Sequence, residues 1–308
     1  WVVDRRIFDR ALLAEAAKTG VEVRIASPVT SLVRDGGRNV LSIGRGADRQ
    51  KIEARIVISA EGVGARIARG AGIGPPGEIL SSAQVEVPFE VSDPEQVEIF
   101  LGENVAPGFF AWAIPAPEGT ARVGLSCREN ACLYLRRLLR TPPIRSRLKG
   151  GPLHLVVGGL PLGPPASTVA DGLIAVGDAA GQVKPTSGGG IYPGLVCAKI
   201  AGKVAAAAAR EGDSSAARLS EYERRWLSAL GGELRLGMVA HKMRAGMADS
   251  ELDDLVRFLA GREDLVGIIE EYGDIDRPSR VIKKVAPRMG LFGLRMAKIL
   301  LRNRQVLR

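Results

Sequence analysis

The sequence predicts an α/β protein, with a parallel-sheet layer interrupted by an antiparallel sheet and followed by a helical carboxy-terminal region. The central observation is a short apolar run, Leu173 to Val176, that opens after a turn at Asp171 and Gly172. A glycine-rich loop follows it, and from Pro193 to Ala209 the residues favour a helix, with Pro193 placed where a first turn tolerates a missing N–H. Between Ser81 and Leu125, short alternating segments separated by Pro and Gly read as antiparallel strands. Beyond Tyr222 the pattern is mostly helical. The expected organisation is therefore residues 1–77 and 158–215 as two parts of the parallel-sheet domain, 78–157 as the inserted antiparallel domain, and 216–308 as helices.

Taken in order, Phe8 to Lys18 forms a helix, residues 20–25 alternate as a strand, and Val29 to Val33 leads into a second. Asp35, Gly36 and Gly37 mark a hairpin turn before Val40 to Ile43. Residues 54–62 form a buried strand ending at Glu61 and Gly62. Strands follow at 84–87, 97–100, 110–114 and 121–125, and residues 158–164 carry the chain back to the parallel sheet. In the helix after the glycine loop, Gly194, Ala198, Gly202 and Ala205 or Ala206 recur at helical spacing and allow close approach to a sheet, leaving Lys199, Lys203 and Arg210 outside. Gly212 and Asp213 end it. Later helices are expected at 252–259, 265–271 and 289–301.

Composition narrows the function classes. The 308 residues, 46% of them hydrophobic, suffice for a substantial core. No uninterrupted apolar run reaches the roughly 18 residues of a spanning helix, and a signal peptide is not expected. Cys127, Cys132 and Cys197 lack metal-ligand spacing, and His154 and His241 are isolated, so metal chemistry is not expected. The end of the chain is strongly basic: after Asp276 it holds ten Lys and Arg and no acidic residue, against a net charge of +9 for the whole. In the predicted helix 289–301, Leu291, Leu294, Ile299 and Leu301 accompany Arg295, Lys298 and, just beyond it, Arg302. That pattern suits an anionic bilayer surface, and the lack of interleaved aromatics argues against nucleic acid.

The loop itself can do chemistry. A helix amino terminus aims backbone N–H groups and positive potential at one spot, and Asp178, at the strand's carboxyl end, suits the hydroxyls of a polyol. Gly177, Asp178, Ala179, Ala180 and Gly181, then Pro185 and Gly188, Gly189, Gly190 and Ile191, resemble the second flavin motif of FAD-dependent reductases of the geranylgeranyl reductase family. These belong to the larger group with the para-hydroxybenzoate hydroxylase fold. Related aromatic hydroxylases carry His where this chain has Gly181. The resemblance implies that Asp178 holds the ribityl chain of FAD and that the backbone of Gly190 and Ile191 lies against the pyrimidine side of the flavin. It also places Arg5, in the stretch Asp4, Arg5, Phe8, Asp9, and the backbone of Val29 on the cofactor. Glu61 and Gly62 resemble an Asp-Gly motif near the pyrophosphate, with Glu in place of Asp. Phe110, Trp112, Ile114 and Pro115 resemble the reductases' aromatic motif, with Phe110 for Tyr and Ile114 for Phe. Trp112 and Pro115 match it, and Phe110, Trp112 and Pro115 are the expected substrate contacts.

The resemblance further implies the family's GxGxxG turn for the pyrophosphate. The sequence begins at Trp1 without one, so an amino-terminal truncation is expected. The expected activity is saturation of C=C bonds in isoprenoid chains on lipids, with hydride from reduced FAD and an external electron donor. Tyr192 and Cys197 are the candidate proton donors. A flavin monooxygenase on the same scaffold is the alternative, and a non-enzymatic remnant a third. The expected location is cytoplasmic, peripheral on the membrane face.

Overall fold

Pairing between segments, more than their alternation, decides which of them become sheet. The computed structural model describes residues 3–44, 46 and 49–302, and the chain divides into two compact units between Ala54 and Arg55. The expected division at 77/78 is not where the units part.

In the first unit, Asp4 caps helix α1 (Arg5–Lys18), its carboxylate accepting from the backbone N–H groups of Arg6 and Ile7 at 2.8 and 3.3 Å. Strands β1 (Val29–Asp35), β2 (Arg38–Ile43) and β3 (Gln50–Ala54) form an antiparallel meander. Asp35 pairs with Arg38, and Gly36 and Gly37 adopt φ of 52° and 81°, as a two-residue hairpin turn of this hand requires. The strand expected over 20–25 does not form. Residues 21–24 join no ladder among the described residues, and alternation makes a strand only where a neighbour takes up the backbone hydrogen bonds.

The second unit begins with β4 (Val57–Ser59) and helix α2 (Arg66–Gly70), followed by β5 (Glu78–Pro88), β6 (Glu98–Phe100), β7 (Phe110–Ala116) and β8 (Thr120–Cys127). Helices α3 (Ala131–Leu138) and α4 (Pro142–Arg145) precede β9 (His154–Leu162). β5 to β9 make one antiparallel sheet in the order β6-β7-β8-β5-β9. The four expected strands are present, and β9, read from the sequence as a connection, is a fifth. The expected boundary at 157/158 therefore falls inside a strand. β9 keeps Gly158, Gly159 and Pro161 because it lies at the edge of the sheet, where one side of the backbone needs no partner.

Chain return is made by β10 (Val169–Ala170) and β11 (Leu173–Ala175). β11 runs parallel to β4, with Leu173 opposite Val57 and Ala175 opposite Ser59. Helices α5 (Ile191–Glu211), α6 (Ala216–Trp226), α7 (Gly232–Ala245), α8 (Asp249–Ala260), α9 (Glu263–Tyr272), α10 (Ser279–Val285) and α11 (Gly290–Arg302) complete the unit, with a π-helical turn at Leu227–Gly231 between α6 and α7.

α5 is long and apolar enough by composition to cross a membrane. Instead its residues Pro193, Cys197, Ala201, Val204 and Ala208 are buried, most of them in a core shared with Ile174, Val176, Tyr222 and Trp226. The stripe expected against the sheet is only partly turned inward: Gly194 and Ala205 are half-buried, Ala198, Gly202 and Ala206 are exposed, and Lys199, Lys203 and Arg210 are exposed as expected. Both stripes share one period, and the larger apolar side chains of Cys197 and Val204 select the buried one.

The five-stranded sheet has two unlike faces. Ala83, Val85, Val87, Ala111, Ala113, Val123 and Leu125 point to one side and pack with Leu135, Leu138 and Ile144 of α3 and α4. The other side presents Leu80, Phe110 and Trp112 with Phe109, Leu160, Leu162 and Val183. That second face carries the candidate site.

Candidate functional site

The glycine loop is held from below by a buried polar chain. Gln182, fully buried, accepts through Oε1 from Gly177 N at 2.8 Å and donates through Nε2 to Tyr222 OH at 2.8 Å, and that hydroxyl donates to Ala175 O at 3.0 Å. Every member is satisfied, so the turn is fixed relative to β11 and α6. At Gly181, φ is +60° and an added Cβ would lie 2.4 Å from Gly163 O. A side chain such as the His of the related hydroxylases has no room there on this backbone.

Further along, Lys184 clamps the loop. Its ammonium pairs with Asp276 at 2.5 Å, and its Cε would lie 2.7 Å from a Cβ at Gly189. Gly190 is the N-cap of α5 and offers no side chain to occupy the helix end, and a Cβ there would stand 2.9 Å from Asp178 Oδ1. A bare backbone at Gly188 to Gly190, a helix amino terminus and a carboxylate beside it thus converge. These residues fit a flavin: the glycines leave a flat ring free to approach, the helix end favours negative charge on it, and Asp178 can accept from a polyol chain.

Beside the loop lies a cavity of about 800 Å³. Phe110, Trp112 and Ile114, alternate residues of β7, form one wall, and Thr186, Ser187, Gly188 and Gly189 form another, while Val97, Ile99 and Leu101 line it as exposed apolar residues. Trp112 donates through Nε1 to Gln84 Oε1 at 3.0 Å and lies over Gly124, where a Cβ would meet the indole at 2.8 Å. Ser82 and Ser126 on the same wall share a hydrogen bond of 2.6 Å.

A charged group that the motifs do not mark also lines this cavity. The Arg244 guanidinium, on α7, lies 4.6 and 5.2 Å from the ring centroids of Phe109 and Phe110. It donates to His241 Nδ1 at 3.3 Å, and His241 Nε2 is 3.3 Å from Glu78 Oε2. The hydrogen bond from His241 is the main reason the Glu78 carboxyl falls below the usual range, against the opposing effect of burial. Burial alone lowers the Arg244 pKa to about 10. The readable signal was its place three residues after His241, on the same helix face.

The other expected residues are distributed differently. Pro115 points to the opposite side of β7 from Trp112 and does not line the cavity, as the two-residue period of a strand dictates. Cys197 is buried on the core side of α5, where burial raises its thiol pKa to about 12, and Tyr192 lines a separate small crevice with Lys184 and Pro185. Neither reaches the cavity wall. Glu61 acts on its own chain: its carboxylate accepts from Ser59 Oγ at 2.5 Å, Ile67 N at 2.9 Å and Ala68 N at 3.1 Å, capping α2. Burial pushes that carboxyl up, but these bonds outweigh it and its pKa is lowered. Arg5 and Val29 belong to the first unit. There Arg5 forms a two-pronged pair with Asp9, both bonds 3.0 Å, and Val29 opens β1 beside a groove lined by Ser27, Pro28 and Ile43.

No family model matches the chain. It is 39% identical over 277 residues to the digeranylgeranylglycerophospholipid reductase of Methanocaldococcus jannaschii, a match covering 87% of this chain and 70% of the relative. A solved structure of a geranylgeranyl bacteriochlorophyll reductase-like protein from Thermoplasma acidophilum superposes with a TM-score of 0.76 at 28% identity, over 91% of this chain and 74% of that one. The halogenase PltM, solved in complex with FAD, shares the fold with a TM-score of 0.62 at 16% identity, over 90% and 62% of the two chains. The α/β architecture with its inserted antiparallel sheet is thus that of flavoprotein oxidoreductases, and the chain belongs to the digeranylgeranylglycerophospholipid reductase family.

Proposed function

We propose that this protein is an FAD-dependent reductase that saturates the C=C bonds of geranylgeranyl chains carried on glycerophospholipids. The observation that supports it best is a cavity with two kinds of wall: apolar side chains of β7 on one side, the bare glycine backbone on another. When bound, reduced FAD supplies the hydride. Asp178 holds the cofactor's polyol chain, and the amino terminus of α5 stabilises negative charge at the loop. Phe110, Trp112 and Ile114 hold a prenyl chain, which offers nothing to hydrogen-bond, by burial at ~25 cal/mol per Å². Hydride goes to one alkene carbon and a proton to the other, so the π bond is replaced by two C–H bonds. The hydroxyls of Ser82, Ser126, Thr186 and Ser187 line the cavity and can relay a proton into it. An external electron donor renews the reduced state.

The direct test is to incubate flavin-loaded protein, pre-reduced with dithionite under anaerobic conditions, with digeranylgeranylglycerophospholipids and follow mass. Gain of two hydrogens per double bond is expected. An unchanged lipid mass, or oxygen incorporation driven by NADPH, would replace this reading with inactivity or with a monooxygenase.

The basic end of the chain supports a second part of the proposal, peripheral attachment to the cytoplasmic face of a membrane. α11 turns Met296 and Ile299 into a core with Met247 and Leu252, and Phe292 stacks on Phe258 at 4.2 Å. Leu291 and Leu294 remain exposed, at 85% and 61%, near the exposed basic residues Arg288 and Lys298. Side chains of Arg295, Leu301 and Arg302 lie outside the described residues.

A further inference from the structure

Among the described residues lining the large cavity, Arg244 alone carries a formal charge. Its surroundings are those of a cation set in place for a ligand. Two aromatic faces, Phe109 and Phe110, lie against the guanidinium. One NH2 nitrogen donates to His241 Nδ1 at 3.3 Å and the other reaches Thr186 O at a long 3.5 Å, while the buried Nε has no hydrogen-bond partner. Because His241 Nδ1 accepts from an arginine, its Nε2 carries the hydrogen and donates to Glu78 Oε2. The carboxylate thus orients the arginine through the imidazole without touching it, and among the described residues Arg244 forms no ion pair of its own. A guanidinium removed from water without a counter-charge is unfavourable, and it recovers most by meeting an anion that accepts several N–H groups at once.

We propose that Arg244 is the anion anchor of the cavity and takes the phosphate of a prenyl lipid, so that the apolar wall selects the chain and Arg244 selects the phosphate end. This rests on the cavity being the lipid site. A planar fork suits phosphate oxygens in a way a neutral alcohol cannot match. Arg244 also bonds to the glycine loop through Thr186, so the phosphate it holds lies beside the backbone that meets the flavin.

The test uses flavin-loaded protein and two saturated probes that contain no bond to reduce, phytanyl phosphate and phytanol, each presented in neutral detergent micelles. Wild type is expected to bind the phosphate roughly 10- to 100-fold more tightly than the alcohol, the range of a charged hydrogen-bonded contact. Arg244→Gln should lose that difference while keeping affinity for phytanol, and Arg244→Lys, a point charge without the fork, should keep part of it. Unaltered flavin absorbance and melting temperature in the variants exclude misfolding as the cause. Equal affinities in wild type, or an undiminished difference in Arg244→Gln, overturn the proposal. Loss of flavin with discrimination intact would reassign the cation to the cofactor. Inorganic phosphate separates the sources: competition at the same concentration as phytanyl phosphate would make this a free-phosphate site. If neither probe binds wild type, the lipid cavity itself is the reading that fails.

Discussion

Asp178 shows how a single residue carries the flavin reading. Its carboxylate stands 2.9 Å from where a Cβ of Gly190 would be, at the amino terminus of α5. Asp178→Ala is expected to weaken flavin binding by about 10- to 100-fold, as loss of a charged acceptor does, with activity falling through cofactor loss. Titration with flavin checks this, and full retention would remove Asp178 from the site. Gly181 and Glu61 illustrate residues whose meaning depended on their neighbours. The sequence could show that Gly181 departs from the hydroxylase pattern, but not that Gly163 O is what forbids a side chain. Glu61 was legible as an acidic turn, and the structure makes it the cap of α2. Since its folded pKa is below the ordinary 4.5, the stability it adds is present above about pH 4.5 and is lost as pH falls through the lower folded value. Glu61→Gln should therefore give a flatter stability curve on the acid side, measured by urea unfolding from pH 6 to about pH 3. An identical acid slope in both proteins would show that the carboxylate contributes nothing.

At the scale of elements, the antiparallel sheet was legible and its edge was not. Alternation placed Phe110, Trp112 and Ile114 on one face, which the cavity confirms, and the same alternation turns Pro115 away. What alternation could not show was the partner strand: Trp112 lies opposite Gly124 of β8, whose missing side chain lets the indole lie against the sheet. Gly124→Val should force Trp112 off the wall, shift its fluorescence and weaken prenyl-lipid binding, while the β5–β8 pairing survives. Unchanged emission would mean the indole does not rest there. Likewise α5 was found from propensity and Pro193, yet the phase of its buried face required the sheet and α6 to be in place.

For the whole molecule, the basic carboxy-terminal helices set a testable boundary between core and surface. Removing them would also remove buried Val285, Met296 and Ile299, so the informative change is smaller. Leu291→Ser with Leu294→Ser should leave the fold intact and reduce flotation with anionic liposomes severalfold, because apolar insertion and basic attraction act together. Flotation equal to that of wild type would argue against membrane contact through this face. The glycine loop, the parallel strand behind it, the apolar wall and the basic end were all determined by the sequence itself, because each depends on local period, turn chemistry or charge. Only the tertiary structure decided that β9 joins the sheet, that Glu61 caps a helix, that Cys197 faces the core, and that Arg244, held by His241 and Glu78, enters the cavity. Those outcomes depend on residues distant in sequence coming within a few ångströms, and no local pattern encodes which partners will meet.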